Sequence, residues 1–123
     1  MRLEICIDVD DVDRAVDFYG RGLGLEIPQH EKEWAKAVLG EQVFWIMKSA
    51  PGPDGAISRD YRRHWTPVHL DFHVDDLDAV VKRVVAAGGK LDREIQRKPD
   101  GSALANLSDP SGNGIDIVQL AQK

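Results

Sequence analysis

The sequence predicts an α+β fold built from two copies of one unit, each consisting of a β-strand, an α-helix and three more strands. The residues Val-Asp-Asp-Val-Asp at 9–13 reappear as Val-Asp-Asp-Leu-Asp at 74–78, and Gly24 reappears as Gly89. In each copy an alternating strand pattern precedes this motif, and apolar residues at helical spacing follow it. The repeat therefore indicates two similar modules that share one core in a single domain, 1–123.

The first module is predicted to span 1–48. Apolar residues alternate with polar ones over 3–9, which is the period of a strand with one buried face. Asp10 or Asp11 can cap the helix that follows, and Gly24 ends it, since glycine tolerates left-handed dihedral angles. Three strands are predicted next, at 25–31, 33–39 and 42–48. The middle one is also compatible with a helix by propensity.

A long connection is predicted at 49–66, between the modules. It has two prolines and two glycines within seven residues, which break all periodicity. Its length exceeds that of an ordinary turn. We therefore expect a mobile or partly ordered segment that borders a binding cleft or a partner subunit.

The second module is predicted to span 67–123. Alternation over 68–74 predicts its first strand, and helical spacing over 77–85 predicts its helix. The glycine pair at 88–89 ends this helix. Three further strands are predicted, at 90–95, 102–108 and 114–120.

The charge balance and the single cysteine limit the classes of partner and location. A formal net charge of −5 without a basic run argues against a nucleic-acid surface.

No apolar run approaches the roughly 20 residues needed to cross a bilayer. Strand-like sequence begins directly after Met1-Arg2, which leaves no room for a signal peptide. Cys6 cannot form an internal disulfide and is interpreted as a packing residue. We expect a cytoplasmic protein with a small organic molecule as its partner.

Short motifs occur at matching points of both modules. They are Val9-x-Asp11 and Phe18-Tyr19-x-x-x-Leu23-Gly24, then His69-Leu70-x-Phe72-x-Val74-x-Asp76-Leu77 and Asp109-Pro110-x-Gly112-Asn113. In this order and spacing they resemble the vicinal oxygen chelate superfamily, which includes glyoxalase I, extradiol dioxygenases, fosfomycin-resistance transferases and bleomycin-resistance proteins. The resemblance covers nearly the whole chain. It implies paired βαβββ modules whose sheets curl around a cup-shaped cleft.

The resemblance also implies a metal site with ligands on the first and last strands of each module. By position, Glu4 matches the first-strand ligand of module one, and His69 matches that of module two. Asp116 matches the last-strand ligand of module two, where the family usually has glutamate. At the fourth position the chain has Phe44 or Trp45, neither of which is a ligand.

A set of Glu4, His69 and Asp116 would combine one histidine with two carboxylates. Such a set suits a divalent ion: Mn²⁺, Mg²⁺, Fe²⁺, Ni²⁺ or Zn²⁺. Three protein ligands leave positions open for a chelating substrate, which is the condition for Lewis-acid catalysis. Glu4 or Asp116 is the candidate catalytic base. The alternative is that all three are polar residues lining a wet cleft.

Four residues are candidates for substrate binding. Asp71 and His73 share the strand face of His69, and they can contact substrate or orient His69. Trp45 is expected to border the cup, where an aromatic ligand can stack on it. Arg62 belongs to a basic cluster and can bind an anionic group. Each of them has an alternative as an ordinary packing or solvated residue.

Two functions of different class are compatible with these features. The first is a metal-dependent enzyme of lyase, isomerase or dioxygenase type that acts on a substrate with vicinal oxygens. The second is a metal-free protein that sequesters an aromatic antibiotic or natural product in the cleft. In both cases we expect a homodimer, because exposed sheet edges need covering. In that dimer, Glu4 of one chain is predicted to meet His69 and Asp116 of the other.

Overall fold

The computed structural model describes residues 1–49 and 59–121, and its first module contains a four-stranded sheet. The strands are β1 (Ile5–Val9), β2 (Glu26–His30), β3 (Trp34–Leu39) and β4 (Gln42–Lys48). Their order is β1-β4-β3-β2, with β1 parallel to β4. The segment that was also compatible with a helix is a strand, because β3 pairs on both sides and buries Ala35 and Ala37 on one face.

The helical segment of the first module changes type halfway. Helix α1 (Val12–Val16) begins at Asp11, whose side chain accepts a hydrogen bond from the Arg14 amide at 3.1 Å. It continues as a π-helical turn, Asp17–Gly22. Gly24 then takes a positive φ of 86° and ends the segment, as predicted.

The second module repeats this plan with a sheet of five strands. Its elements are β5 (Leu70–His73), α2 (Leu77–Ala86), β6 (Lys90–Leu91), β7 (Gln96–Arg97), β8 (Ala103–Ser108) and β9 (Gly114–Gln119). The sheet order is β5-β9-β8-β6, and β7 pairs with β8. The prediction of one strand over 90–95 is wrong. Strand β6 ends at Leu91. The Asp92 amide still donates to the Asn106 carbonyl of β8 at 2.9 Å, while its carboxylate binds Arg63 and Trp65 of the connection between the modules.

Buried contacts join the two modules into one core. The rings of Phe44 and Phe72 stack at 6.4 Å. A Cβ at Gly89 would lie 2.7 Å from the Phe18 ring, so glycine permits this close approach. The Tyr19 hydroxyl, fully buried, donates to the Asp109 carboxylate at 2.6 Å. The shared core confirms the mixed α+β architecture.

The connection between the modules docks on both of them over 59–66, a segment we call the strap. Arg59 donates to Asp8 of module one at 2.5 Å, and the His64 amide donates to Gly112 of module two at 3.0 Å. A Cβ at Gly114 would lie 2.5 Å from the Trp65 ring, so the strap needs glycine beneath it. The part of the predicted mobile connection at 50–58 lies outside the described residues.

Neither described helix has the length and apolar character that a membrane crossing requires.

Candidate functional site

A row of polar residues crosses the outer face of the second sheet. Strand register places Asp71 of β5 beside Asp116 of β9, and Asp116 beside Asn106 of β8. Neighbouring positions on all three strands bury apolar side chains such as Phe72 and Ile117, so the polar residues share the opposite face. His69 lies just before β5 on this same face. The register therefore brings four polar side chains together.

Three of these side chains converge on one point. His69 Nδ1 is 3.1 Å from an Asp71 carboxylate oxygen and 3.8 Å from an Asp116 carboxylate oxygen. One potential ligand atom from each of the three residues lies within 4.8 Å of the other two. The Asn106 amide donates to the second oxygen of Asp116 at 2.6 Å. Because Asp116 is only 9% exposed, this hydrogen bond fixes its carboxylate with one oxygen facing His69.

The strap forms one wall of this site. The Trp65 ring meets His69 edge-on, with ring centroids 5.3 Å apart. The indole N–H of Trp65 donates to Asp92 at 2.8 Å, and the Arg63 guanidinium lies 4.7 Å over the indole ring and pairs with the same carboxylate. A pocket of about 380 Å³ opens between them. Its lining residues are Trp65, His69, Asp92, Arg93, Asn106 and Asp116.

The equivalent row on the first sheet is chemically different. Cys6 pairs with Trp45, and Trp45 with Lys36, in the same register as the Asp71–Asp116–Asn106 row. Trp45 is therefore the counterpart of Asp116. Of the two residues predicted for the fourth ligand position, Phe44 and Trp45, the register selects Trp45. An indole stands where the second module has a carboxylate.

Glu4 interacts within its own module and does not join the His69 group of its own chain. The Trp45 indole N–H donates to its carboxylate at 2.8 Å, and Arg2 pairs with it at 2.8 Å. The hydrogen bond from Trp45, reinforced by Arg2, holds the pKa of Glu4 below its usual value. Glu4 is therefore an exposed anion, and its role as a ligand stays a prediction about a second chain.

The face around Trp45 is broad and partly apolar. Trp34 and Trp45 contact each other with centroids 5.9 Å apart, and the Lys36 ammonium lies 5.5 Å over the Trp45 ring. Both tryptophans and the neighbouring Met47 are half-buried. This face has the flat aromatic character that binds planar ligands.

A larger cavity of about 600 Å³ lies beneath the strap, between β1 and the β5–β9 edge. Cys6, Asp8, Arg59, Trp65 and His69 are among its lining residues. Cys6 is exposed there, so its interpretation as a packing residue is wrong: it lies on the outer face of β1. The cavity walls still shield the thiol partly from water, and this shielding, together with the nearby Asp8, raises the pKa of Cys6, which keeps it protonated and a poor nucleophile.

The remaining two candidates lie apart from the His69 group. His73 lines a smaller apolar cavity of about 290 Å³ that also contains Phe44 and Phe72. Arg62 is largely exposed and forms a bidentate pair with Asp60, lowering the pKa of that carboxyl to about 2. The neighbouring Arg59 and Arg63 reach the cleft from the strap.

The paired modules place the chain in a known class of domains. The model of the family described as "Glyoxalase-like domain" matches residues 4–118. The chain belongs to this family, and hence to the vicinal oxygen chelate superfamily, as the sequence motifs predicted.

Three comparisons show the range of the relatives. An anthracycline biosynthesis protein, DauV, of a Streptomyces species is 32% identical over 92% of this chain and 39% of its own length. A probable lactoylglutathione lyase of Vibrio cholerae is 27% identical over 98% of this chain and 91% of its own. A glyoxalase-related enzyme from Fulvimarina pelagi has a similar fold, with a TM-score of 0.73, 21% identity, and coverage of 98% and 89%. The chain thus spans about two fifths of the first of these relatives.

The donor atoms present suit a hard divalent cation. His69, Asp71 and Asp116 offer one nitrogen and two carboxylates within the spread of a single ion's ligands. Asn106 donates to one oxygen of Asp116, and His69 Nδ1 faces a carboxylate oxygen of each acid. The residues therefore fit a metal site.

Several residues of the site were not singled out from the sequence. Asn106, Asp92, Arg93 and Trp65 reach it through strand register and the strap, which connect positions far apart in the chain. Only alternation over 102–108, which puts Asn106 on the outer face of its strand, offered a signal.

Proposed function

We propose that this protein binds a small substrate with vicinal oxygen atoms and acts on it with the help of a divalent metal ion. The observation that carries the proposal is the convergence of His69, Asp71 and Asp116 on one point of the cleft wall. Membership of the glyoxalase family supports it, and so does the relative named as a probable lactoylglutathione lyase.

His69, Asp71 and Asp116 would hold the ion, and Glu4 of a second chain would complete the set. A bound divalent cation supplies Lewis-acid polarisation of the substrate oxygens. Asn106 orients Asp116 by occupying one of its oxygens, and the Trp65 ring limits the rotation of His69. Glu4 or Asp116 is the base that takes a proton from the substrate, because both are carboxylates at the predicted centre.

Metal analysis of protein purified without a histidine tag tests this proposal. We expect about one Mn²⁺ per chain after dialysis of the parent, and a loss of metal in His69→Ala. His73→Ala is the matched control, since His73 lies at the end of β5, four residues after His69, but outside the group. Equal metal content in the parent and in His69→Ala would contradict the proposal.

The contribution of Glu4 is tested separately. If Glu4 of a second chain is a ligand, Glu4→Gln should weaken Mn²⁺ binding, as should Asp71→Asn. If Asp71→Asn weakens binding and Glu4→Gln does not, the metal site lies entirely within the second module.

A second candidate function is sequestration of a planar aromatic ligand without turnover. Two observations favour it: the Trp34–Trp45 pair on a half-exposed sheet face, and relatives named as anthracycline biosynthesis proteins, whose name refers to polycyclic aromatic compounds. The indole at the position of the fourth ligand fits this function as well.

Fluorescence titration with an anthracycline tests this second function. We expect quenching of tryptophan emission and recovery of unaltered ligand by chromatography. Trp45→Ala should raise Kd about tenfold, the effect of losing one aromatic stack, whereas Trp45→Phe should keep most of the affinity. Unchanged affinity in Trp45→Ala would remove Trp45 from the binding face.

We also propose that the protein is a cytoplasmic homodimer. The open strand edges of the two sheets support the dimer, and one free thiol, Cys6, is compatible with a reducing compartment.

A further inference from the structure

The 380 Å³ pocket beside His69 contains an arginine, Arg93, whose charge no carboxylate of residues 1–49 or 59–121 neutralises. The Arg93 Nε–H donates to the Asn106 side-chain oxygen at 2.7 Å. With its amide oxygen facing the guanidinium, Gln96 accepts from Arg93 at 2.9 to 3.3 Å. Both partners are neutral amides. Among the described residues, no carboxylate pairs with Arg93.

The other arginines near the cleft differ from Arg93 in this respect. Arg59 is paired with Asp8 at 2.5 Å, and Arg63 is paired with Asp92. Arg63 therefore offsets the charge of Asp92, the acid next to Arg93. A divalent cation bound at the His69 group would offset the negative charges of Asp71 and Asp116. Among the described residues that line the pocket, Arg93 would then be the one whose charge has no counter-charge.

Arg93 is also held in place relative to the predicted metal ligands. Asn106 accepts from Arg93 with its oxygen and donates to Asp116 with its nitrogen at 2.6 Å. One amide thus connects the guanidinium to a carboxylate of the His69 group. A guanidinium has five N–H donors in a fixed fork, and two acceptors leave some of them directed at the pocket.

We infer that Arg93 binds an anionic group of the substrate, a carboxylate, while the vicinal oxygens of the same substrate occupy the neighbouring centre. This inference rests on the proposed function and narrows its substrate class to oxygenated carboxylic acids. Arg93 determines specificity because a carboxylate gains a charge-assisted hydrogen bond to this exposed side chain that a neutral analogue does not form.

Matched chelating probes test the inference. Catechol offers vicinal oxygens alone, and 2,3-dihydroxybenzoate, 3,4-dihydroxybenzoate and 3,4-dihydroxyphenylacetate add a carboxylate at different positions. Calorimetry with Mn²⁺-loaded protein should show at least one carboxylate probe binding about tenfold more tightly than catechol, the effect of one charge-assisted pair. In Arg93→Gln that ratio should fall to about one, whatever the affinity of the variant for catechol.

Arg97→Gln is the control, because Arg97 pairs with Asp78 outside this pocket and should keep the parent ratio. Two results would overturn the inference while leaving the proposed function intact. One is a preference for the carboxylate probe over catechol that persists in Arg93→Gln. The other is equal affinity of the parent for catechol and for every carboxylate probe. If catechol itself fails to bind the metal-loaded protein, the proposed function fails, and the role of Arg93 fails with it.

Discussion

Tyr19 joins the two modules through one buried hydrogen bond. Its hydroxyl donates to Asp109, which also accepts from the amides of Ser111 and Asn113. Tyr19→Phe would remove the donor and leave a buried carboxylate less well satisfied. We expect this variant to lose about 1–3 kcal/mol of unfolding free energy, measured by urea denaturation at pH 8.

The same residue makes stability depend on pH. Burial, reinforced by Asp109, raises the pKa of Tyr19 well above its usual value of 10. Above pH 10 the unfolded chain therefore loses a proton that the folded chain keeps, so unfolding free energy falls as pH rises. The fall between pH 9 and pH 11 should be smaller in Tyr19→Phe. Parallel pH profiles for the two proteins would contradict this assignment.

Asn106 acts on the predicted metal site without being a ligand. It holds one oxygen of Asp116, so Asn106→Ala should let this carboxylate rotate. We expect Mn²⁺ affinity to fall about 10- to 100-fold, measured by calorimetry, because partners of metal ligands have effects of this size. Gln42→Ala, an amide on the other sheet, should leave the affinity unchanged. Equal loss in both variants would indicate a general effect on folding.

At the scale of elements, the strap depends on the absence of a side chain at Gly114. A Cβ there would lie 2.5 Å from the Trp65 ring. Gly114→Ala should therefore displace the strap and cost about 1–3 kcal/mol of unfolding free energy, as overpacking does.

A double-mutant cycle with Trp65→Ala separates this effect from others. If the clash is the cause, Gly114→Ala should cost little in a chain that already has Trp65→Ala. If Gly114→Ala lowers the free energy of unfolding equally with Trp65 present and with Trp65→Ala, the cause lies in the backbone of β9 and not in the clash with the ring.

The elements could largely be predicted from the sequence, because hydrophobic alternation and glycine positions are local signals. Strands β1 and β4 follow directly from such signals, and the first helix cap was narrowed to Asp10 or Asp11, of which Asp11 is the cap. The π-helical turn and the break between β6 and β7 could not be predicted. At the break, Asp92 contacts Arg63 of the strap, a residue far from it in the sequence, and local patterns carry no signal of such a contact.

The site was partly predictable for the same reason. His69 and Asp116 could be predicted as site residues because each lies in, or a few residues after, a motif that resembles the family. The structure brings the two side chains together, with His69 Nδ1 3.8 Å from an Asp116 oxygen. The inclusion of Asp71 in the group follows from register, which puts it directly opposite Asp116. Glu4 lies in the other module, and a single chain does not bring it to this group.

At the scale of the whole molecule, the open edges predict association. Within the described part of the chain, strands β1 and β5 each pair with one neighbour in their sheets and leave the other edge open. We expect light scattering to show a dimer at micromolar concentration, since a second copy covers these edges. A monomer under these conditions would refute the prediction.

Mixing variants tests how the sites are shared. Chains with Glu4→Ala and chains with His69→Ala should each be inactive. If each site uses both chains, a mixture after subunit exchange should regain roughly a quarter of the intact sites, because half of the dimers are mixed and each has one intact site. A dimer without such rescue would place each site within one chain.

The π-helical turn at Asp17–Gly22 holds one residue more than an α-helical turn does. Its wider turn lets the Leu23 amide reach the Phe18 carbonyl, five residues back, at 3.0 Å. The extra residue is taken up within the turn, so the residues after it keep their helical phase, and Gly22 lies close to Val84 of the second module. A relative with one residue fewer here should form a plain α-helix and keep the same packing on both sides. When relatives are aligned, a one-residue gap in this turn is therefore compatible with an unchanged fold.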